Sequence, residues 1–191
     1  MPEALLVRTL VPADHNAVLA IYNHYIEHSP ATFDTQTFTA EQRRAWFTQF
    51  DQPPYRCLVA ERDGEILGYA CAQRFKEKPA YATSVETSIY VSHEHLGSGI
   101  GGQLYTALFT YLETQDFHRA YAGITLPNDG SIALHEKFGY RRVGLYTEVG
   151  YKYDRYWDVA WFENSESMGV ITREQDGACR NLVEGTQCMD K

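Results

Sequence analysis

Apolar positions along the chain fall into short strand-like runs separated by helical stretches. Leu5 to Thr9 reads as a strand. Asp14 is placed to cap a helix in which Ala17, Val18, Ile21, Tyr22, Tyr25 and Ile26 recur at helical spacing. The polar and aromatic stretch from His28 to Phe38 predicts a loop. Thr39 and Gln42 then make a capping-box pattern before Ala45, Trp46 and Phe47. Tyr55 to Arg62 and Glu65 to Phe75 predict two strands joined at Asp63-Gly64, a strong hairpin signal. Lys76 to Thr83, with a proline and several charges, predicts a loop, and Ser84 to Val91 another strand. Glycines crowd His93 to Gly102, and Gln103 to Thr114 predicts a helix with Leu104, Leu108 and Leu112 on one face. Arg119 to Ile124 reads as a strand, Pro127 to Gly130 as a turn, and Ser131 to Phe138 as a helix stopped by Gly139. Arg141 to Val149 and Tyr153 to Phe162 predict a last strand pair around Gly150-Tyr151-Lys152.

This order predicts an α/β (α+β) domain over residues 1–163, with a mixed, mostly antiparallel sheet and helices on both faces. The unit from Ser84 to Ile124 predicts a parallel crossover. Residues 164–191 are polar, aperiodic and free of aromatics, which predicts a flexible tail.

Composition narrows the classes of function. The hydrophobic fraction of 44% and the 14 tyrosines indicate a globular chain. Lys and Arg number 17 against 25 Asp and Glu, a net charge of −8, which disfavours general binding to nucleic acid or an anionic membrane. The cysteines Cys57, Cys71, Cys179 and Cys188 form no CxxC pair, so no metal site is expected. Met-Pro-Glu-Ala-Leu-Leu-Val-Arg lacks the long apolar run of a signal peptide, and the expected location is the cytoplasm.

The sharpest chemical signal is Leu96-Gly97-Ser98-Gly99-Ile100-Gly101-Gly102, between a strand and a helix. Glycines let the backbone turn tightly and approach a ligand, and the helix start offers unpaired N–H groups with a partial positive charge. Together they suit a diphosphate. Gly97-x-Gly99-x-x-Gly102 also matches a dinucleotide fingerprint in form. That fingerprint needs an acid at the end of the next strand, and Arg119 to Ile124 carries none.

Further stretches decide between these ligands. The chain resembles the GNAT acetyltransferase superfamily, whose Q/R-x-x-G-x-G/A signature falls here on Leu96-x-x-Gly99-x-Gly101. Within it the chain is most similar to the phosphinothricin / methionine sulfoximine acetyltransferases. The similarity is carried by Ile21-Tyr22-Asn23-His24-Tyr25, Ala31-Thr32-Phe33-Asp34, Val85-Glu86-Thr87-Ser88-Ile89-Tyr90-Val91, Leu126-Pro127-Asn128, the run from Ser131 to Tyr140, and Gly150-Tyr151-Lys152. It spans about residues 5 to 162. Leu96 departs from the signature's Arg or Gln; losing a charge-assisted hydrogen bond there costs roughly 1.5–3 kcal/mol unless His93, His95 or Ser98 compensates.

The resemblance implies an acetyl-CoA-dependent N-acetyltransferase acting on a small amino-acid-like amine, as a homodimer. It implies Glu86 as base and His135 as a second group that moves protons. Ile89, Tyr90, Val91, Gly97, Ser98, Gly99, Ile100, Gly101, Gly102, Asn128 and Ser131 are the expected acetyl-CoA contacts. The backbone around Tyr90 and Val91 is the candidate oxyanion donor: if the strand bulges there, a free N–H can face the thioester carbonyl. Thr32, Phe33, Arg74, Lys76, Lys78 and Tyr81 are the expected acceptor side, where cations can hold a carboxylate or phosphinate. A catalytically silent acyl-CoA sensor and an acetyltransferase of protein N-termini are the alternative readings.

Overall fold

The computed structural model describes residues 4–165. A seven-stranded sheet runs in the order β1-β2-β3-β4-β5-β7-β6. The strands are β1 (Leu6–Thr9), β2 (Arg56–Arg62), β3 (Glu65–Arg74), β4 (Ser84–Val91), β5 (Arg119–Thr125), β6 (Arg141–Lys152) and β7 (Arg155–Asn164). Every neighbouring pair is antiparallel except β4 with β5. The helices are α1 (His15–His28), α2 (Arg44–Thr48), α3 (Ile100–Leu112) and α4 (Asp129–Lys137).

Period-two alternation in the strands gives the sheet two apolar faces, each covered by helices. Leu58, Ala70, Val85 and Ala120 pack under α3, with Leu104, Leu108 and Leu112 supplying its buried stripe. Val59, Tyr69 and Cys71 pack on the other face against Val18, Leu19 and Ile21 of α1 and Phe47 of α2. Fully burying a side chain of this size contributes about 1.5–3 kcal/mol, so each face is a substantial stabilising layer.

Several boundaries differ from the sequence expectation, each for a local reason. Asp14 stands at the N-cap of α1 but makes no side-chain bond to that helix: its carboxylate takes Arg8 at 2.6 and 2.9 Å and the Val11 N–H at 2.9 Å. The Thr39–Gln42 box does form, with reciprocal bonds of 2.8 and 3.3 Å. α3 starts at Ile100 because Gly99, at φ +82°, is its left-handed N-cap, so the last glycines of the loop are already helical. α4 is capped by Asn128, whose side chain accepts from the Ser131 N–H at 3.2 Å. The last hairpin turns at Tyr153-Asp154, both with positive φ, while Gly150 stays inside β6. Phe33 lies against Gly150 so closely that a Cβ there would sit 2.2 Å from its ring. Asn164, expected to open the tail, is the buried last residue of β7. The rest of that tail lies outside the described residues, except residue 165.

Candidate active site

The β4–β5 pairing is brief. Ser84, Val85 and Glu86 pair with Arg119, Ala120 and Tyr121, and the ladder then ends although both strands continue. The two strands therefore diverge in a V with Glu86 at its vertex. The ladder between β4 and β3 runs on through Val91 with no register shift, so no bulge is present near Tyr90. Antiparallel alternation does what the bulge was meant to do. Ser92 N–H donates to Leu67 O at 2.8 Å, which makes Tyr90, Ser88 and Glu86 the residues bonded to β3. The amides of Thr87, Ile89 and Val91 then point into the V. Tyr25 Oη donates to Val91 O at 2.7 Å and ties α1 to its open end.

A cleft of about 690 Å³ fills this V and continues over the glycine loop. All eleven residues expected to contact acetyl-CoA line it: Ile89, Tyr90, Val91, the six residues Gly97 to Gly102, Asn128 and Ser131. Ser29, Pro30 and Ala31, which the sequence did not single out, close one side. Gly97 and Gly99 have φ of +75° and +82°, a region L side chains rarely adopt. No side chain caps α3, so its first N–H groups face the cleft without partners from their own helix. Among the described residues, not one Lys, Arg, Asp or Glu lines this cleft.

Of the three residues able to replace a charge at Leu96, two are engaged elsewhere. His93 stacks on His24 at 3.8 Å between ring centroids, and Ser98 Oγ donates to His95 O at 2.5 Å. His95 lines the cleft, and its Nδ1 is buried without a partner among the described residues.

Glu86 is half-buried on the α1–α2 face of the sheet, in line with Ser88 and Tyr90. Burial pushes its carboxyl pKa upward, and no hydrogen bond or opposite charge among the described residues counters it. His135 is 3% exposed and lines the cleft from α4. Its Nδ1 lies 2.7 Å from Ser131 O, which only accepts, so Nδ1 carries the hydrogen. Its Nε2 then accepts from Tyr105 Oη at 2.8 Å. Burial lowers its pKa, and the ring is a neutral imidazole with both nitrogens engaged.

The residues expected on the acceptor side do not come together in one site, although Lys76 and Tyr81 meet each other. Thr32 is buried, with Oγ1 2.8 Å from Tyr22 Oη. Phe33 packs on Gly150. Arg74 is exposed and pairs with Glu77, while Lys76 lies over the rings of Phe75 and Tyr81. None of the five, nor Lys78, lines the cleft or the smaller cavity beside it. That smaller cavity, about 160 Å³, lies under α1 and α2 and shares Ser88 and Tyr90 with the cleft. No run in the sequence marked it, because its lining is scattered: three residues each from α1 and β3, two from β4, Trp46 of α2 and Arg43 just before it.

The family model described as "Acetyltransferase (GNAT) family" matches residues 18–140. The chain belongs to this family. It is 51% identical to a phosphinothricin N-acetyltransferase of Streptomyces coelicolor over 160 residues, 82% of this chain and 94% of that one. It is 30% identical to the L-methionine sulfoximine/L-methionine sulfone acetyltransferase of Salmonella typhimurium, over 83% of this chain and 93% of that one. The crystal structure of a phosphinothricin acetyltransferase from Sinorhizobium meliloti in complex with acetyl-CoA superposes with a TM-score of 0.83 at 30% identity, covering 92% of this chain and 95% of that one. The chain is thus an acetyl-CoA-dependent N-acetyltransferase. The cleft fits that donor: open main-chain N–H groups at the start of α3 suit a diphosphate, and the inward amides of β4 suit the pantetheine arm and the thioester carbonyl.

Proposed function

We propose that this GNAT enzyme acetylates the α-amino group of a small amino acid of the phosphinothricin or methionine sulfone type, in the cytoplasm and as a homodimer. The observation that carries the reading is the V between β4 and β5, which runs from the glycine loop to a vertex where Glu86 makes the last β4–β5 pair, its half-buried carboxylate turned to the α1–α2 face beside Ser88 and Tyr90, two residues that do line the cleft.

Acetyl-CoA supplies the activated acetyl thioester. The N–H groups of Gly99 to Gly102 hold its diphosphate, with Asn128 and Ser131 at the opposite wall. The amides of Ile89 and Val91 stabilise the carbonyl oxygen as charge builds on it. Glu86 takes a proton from the acceptor ammonium, directly or through a water; the free amine then forms the C–N bond, the C–S bond breaks, and the second proton of that nitrogen passes to the departing CoA thiolate. The raised pKa of Glu86 makes it a better base than an exposed carboxylate, and such a group contributes roughly 10²–10⁴-fold. His135 acts by position: its bonds to Ser131 and Tyr105 fix α4 against α3 beside the cleft, and no free lone pair is left to exchange a proton.

Two further observations support the assembly and the location. Val143, Leu145, Tyr146, Val149, Tyr151 and Tyr156 are exposed together on the β6–β7 hairpin, an apolar surface of the kind a second copy covers. Cys57 and Cys71 are buried opposite each other on β2 and β3 and remain thiols, which suits a reducing compartment. No helix among the described residues is long and apolar enough to cross a membrane.

The test is release of free thiol from acetyl-CoA across a panel of amino acids and short peptides. Turnover with free amino acids is expected. Turnover confined to peptides would replace this acceptor class with protein N-termini, and binding without thiol release would mark a silent sensor.

A further inference from the structure

The smaller cavity has an electrostatic feature that the acetyl-transfer chemistry leaves unused. Its walls are aromatic (Tyr22, Trp46, Tyr69 and Tyr90), its floor carries Ser88 and Gln73, and among the described residues one cation, Arg43, faces it. Gln73 pairs with Glu86 across the β3–β4 ladder, so the cavity begins beside the proposed base. Arg43 is held rigidly. Its guanidinium lies 4.0 Å from the Phe38 ring centroid and 4.9 Å from that of Tyr22, and one Nη donates to Asp34 at 2.6 Å. That leaves Nε, which is buried and has no partner among the described residues. A buried donor on a fixed guanidinium is a costly feature unless something accepts from it.

We propose that this cavity takes the side chain of the acceptor amino acid, and that Arg43 selects side chains ending in an oxyanion. This rests on the acceptor class proposed above and narrows it. A liquid water occupies about 30 Å³, so a volume of about 160 Å³ is several times what one carboxylate fills. It matches two methylenes and a tetrahedral or carboxylate head. The aromatic walls cover the methylenes, and Arg43 meets the head group with Nε and its remaining N–H groups. The α-amino group then stays at the mouth, between Ser88 and Glu86.

Phosphinothricin and methionine sulfone test this directly. Both carry two methylenes, a tetrahedral centre and a methyl group, and they differ by one negative charge at that centre. Initial rates with saturating acetyl-CoA should give the parent enzyme a kcat/KM at least tenfold higher for phosphinothricin, mostly through KM. Arg43→Met should shrink that ratio by tenfold or more, and Arg43→Lys should restore part of it. Thermal unfolding of each variant reports on folding, and the parent ratio needs no variant at all. A parent enzyme that turns over both compounds with equal efficiency overturns the inference and leaves the acceptor class standing, as does a ratio that survives Arg43→Met. A parent enzyme that turns over no amino acid in the panel removes both.

Discussion

Replacing Lys152 by Met should loosen the wall of the cleft without touching a reacting group. Lys152 is 5% exposed, and its ammonium donates to Ser29 O and Thr32 O, both at 2.8 Å. These two carbonyls belong to the segment that follows α1, and Ser29, Pro30 and Ala31 of that segment line the cleft. Each bond to a charged donor is worth roughly 1.5–3 kcal/mol. Burial opposes this gain and lowers the Lys152 pKa, with Asp34 pulling the other way. Methionine fills the same space but leaves two carbonyls without a donor. A net loss of about 1–3 kcal/mol follows, or roughly 3–10 °C in Tm for a chain of this length. Calorimetry and amide hydrogen exchange measure it: exchange at residues 29–34 should rise well above the change elsewhere, and the acetyl-CoA KM should rise several-fold. An unchanged Tm with unchanged exchange in this segment would refute the claim that one side chain of β6 holds the wall.

Glu86→Gln should lower turnover by at least tenfold while acetyl-CoA binding persists, and unchanged turnover would remove Glu86 from the mechanism. In the parent, kcat/KM for the acceptor should fall with acid through a midpoint above the ordinary glutamate range, because burial raises this pKa and the base must be ionised; the variant should lose that limb. The same raised pKa favours the folded chain below the unfolded value, a contribution lost as pH rises through the folded value. Glu86→Gln should therefore unfold at a higher temperature than the parent at neutral pH, with the gap closing toward about pH 4. His95→Ala should weaken acetyl-CoA binding several-fold, and calorimetry on the parent should give a dissociation constant in the micromolar range; a submicromolar value would show that Leu96 costs nothing.

What the sequence disclosed and what it hid follow from how local each signal is. The Asp63-Gly64 hairpin and the Thr39–Gln42 box form because their partners lie within three residues, and both are found as read. The glycine loop is equally local, and Ile89, Tyr90 and Val91 could be named with it because they end the strand that leads into it, whereas Asn128 and Ser131, at the start of α4, were named through the family resemblance. Asp14 misled because its partner, Arg8, comes from β1 and outcompetes the helix start. Gly150 looked like a turn residue, yet it is a strand glycine required by Phe33, over a hundred positions earlier. The acceptor side suffered most. Arg74, Lys76 and Tyr81 look like a cationic subsite in sequence, but Arg74 pairs with Glu77, and Lys76 and Tyr81 meet Phe75 and each other, where the chain leaves the end of the interior strand β3. Arg43, in a polar stretch with nothing to mark it, becomes significant only when α2 lays it over β3 and β4.

An acidic chain that grips a polyanion without cations must do so at short range. Net charge is −8, the cleft is lined by no Lys, Arg, Asp or Glu among the described residues, and Leu96, 64% exposed, stands where the family's signature carries Arg or Gln. Main-chain N–H groups act within hydrogen-bond distance and contribute almost nothing at the Debye length, about 8–10 Å in ordinary buffers. Binding through them should therefore respond little to salt, whereas a cleft held by several lysines would lose affinity steeply. Acetyl-CoA titrations from about 0.05 to 0.5 M NaCl should change the dissociation constant by less than about threefold, since surface charges are screened over that range and buried contacts are not. A tenfold loss would mean that cations outside this cleft carry the diphosphate, and the glycine loop would then be a support for the ligand instead of its main grip.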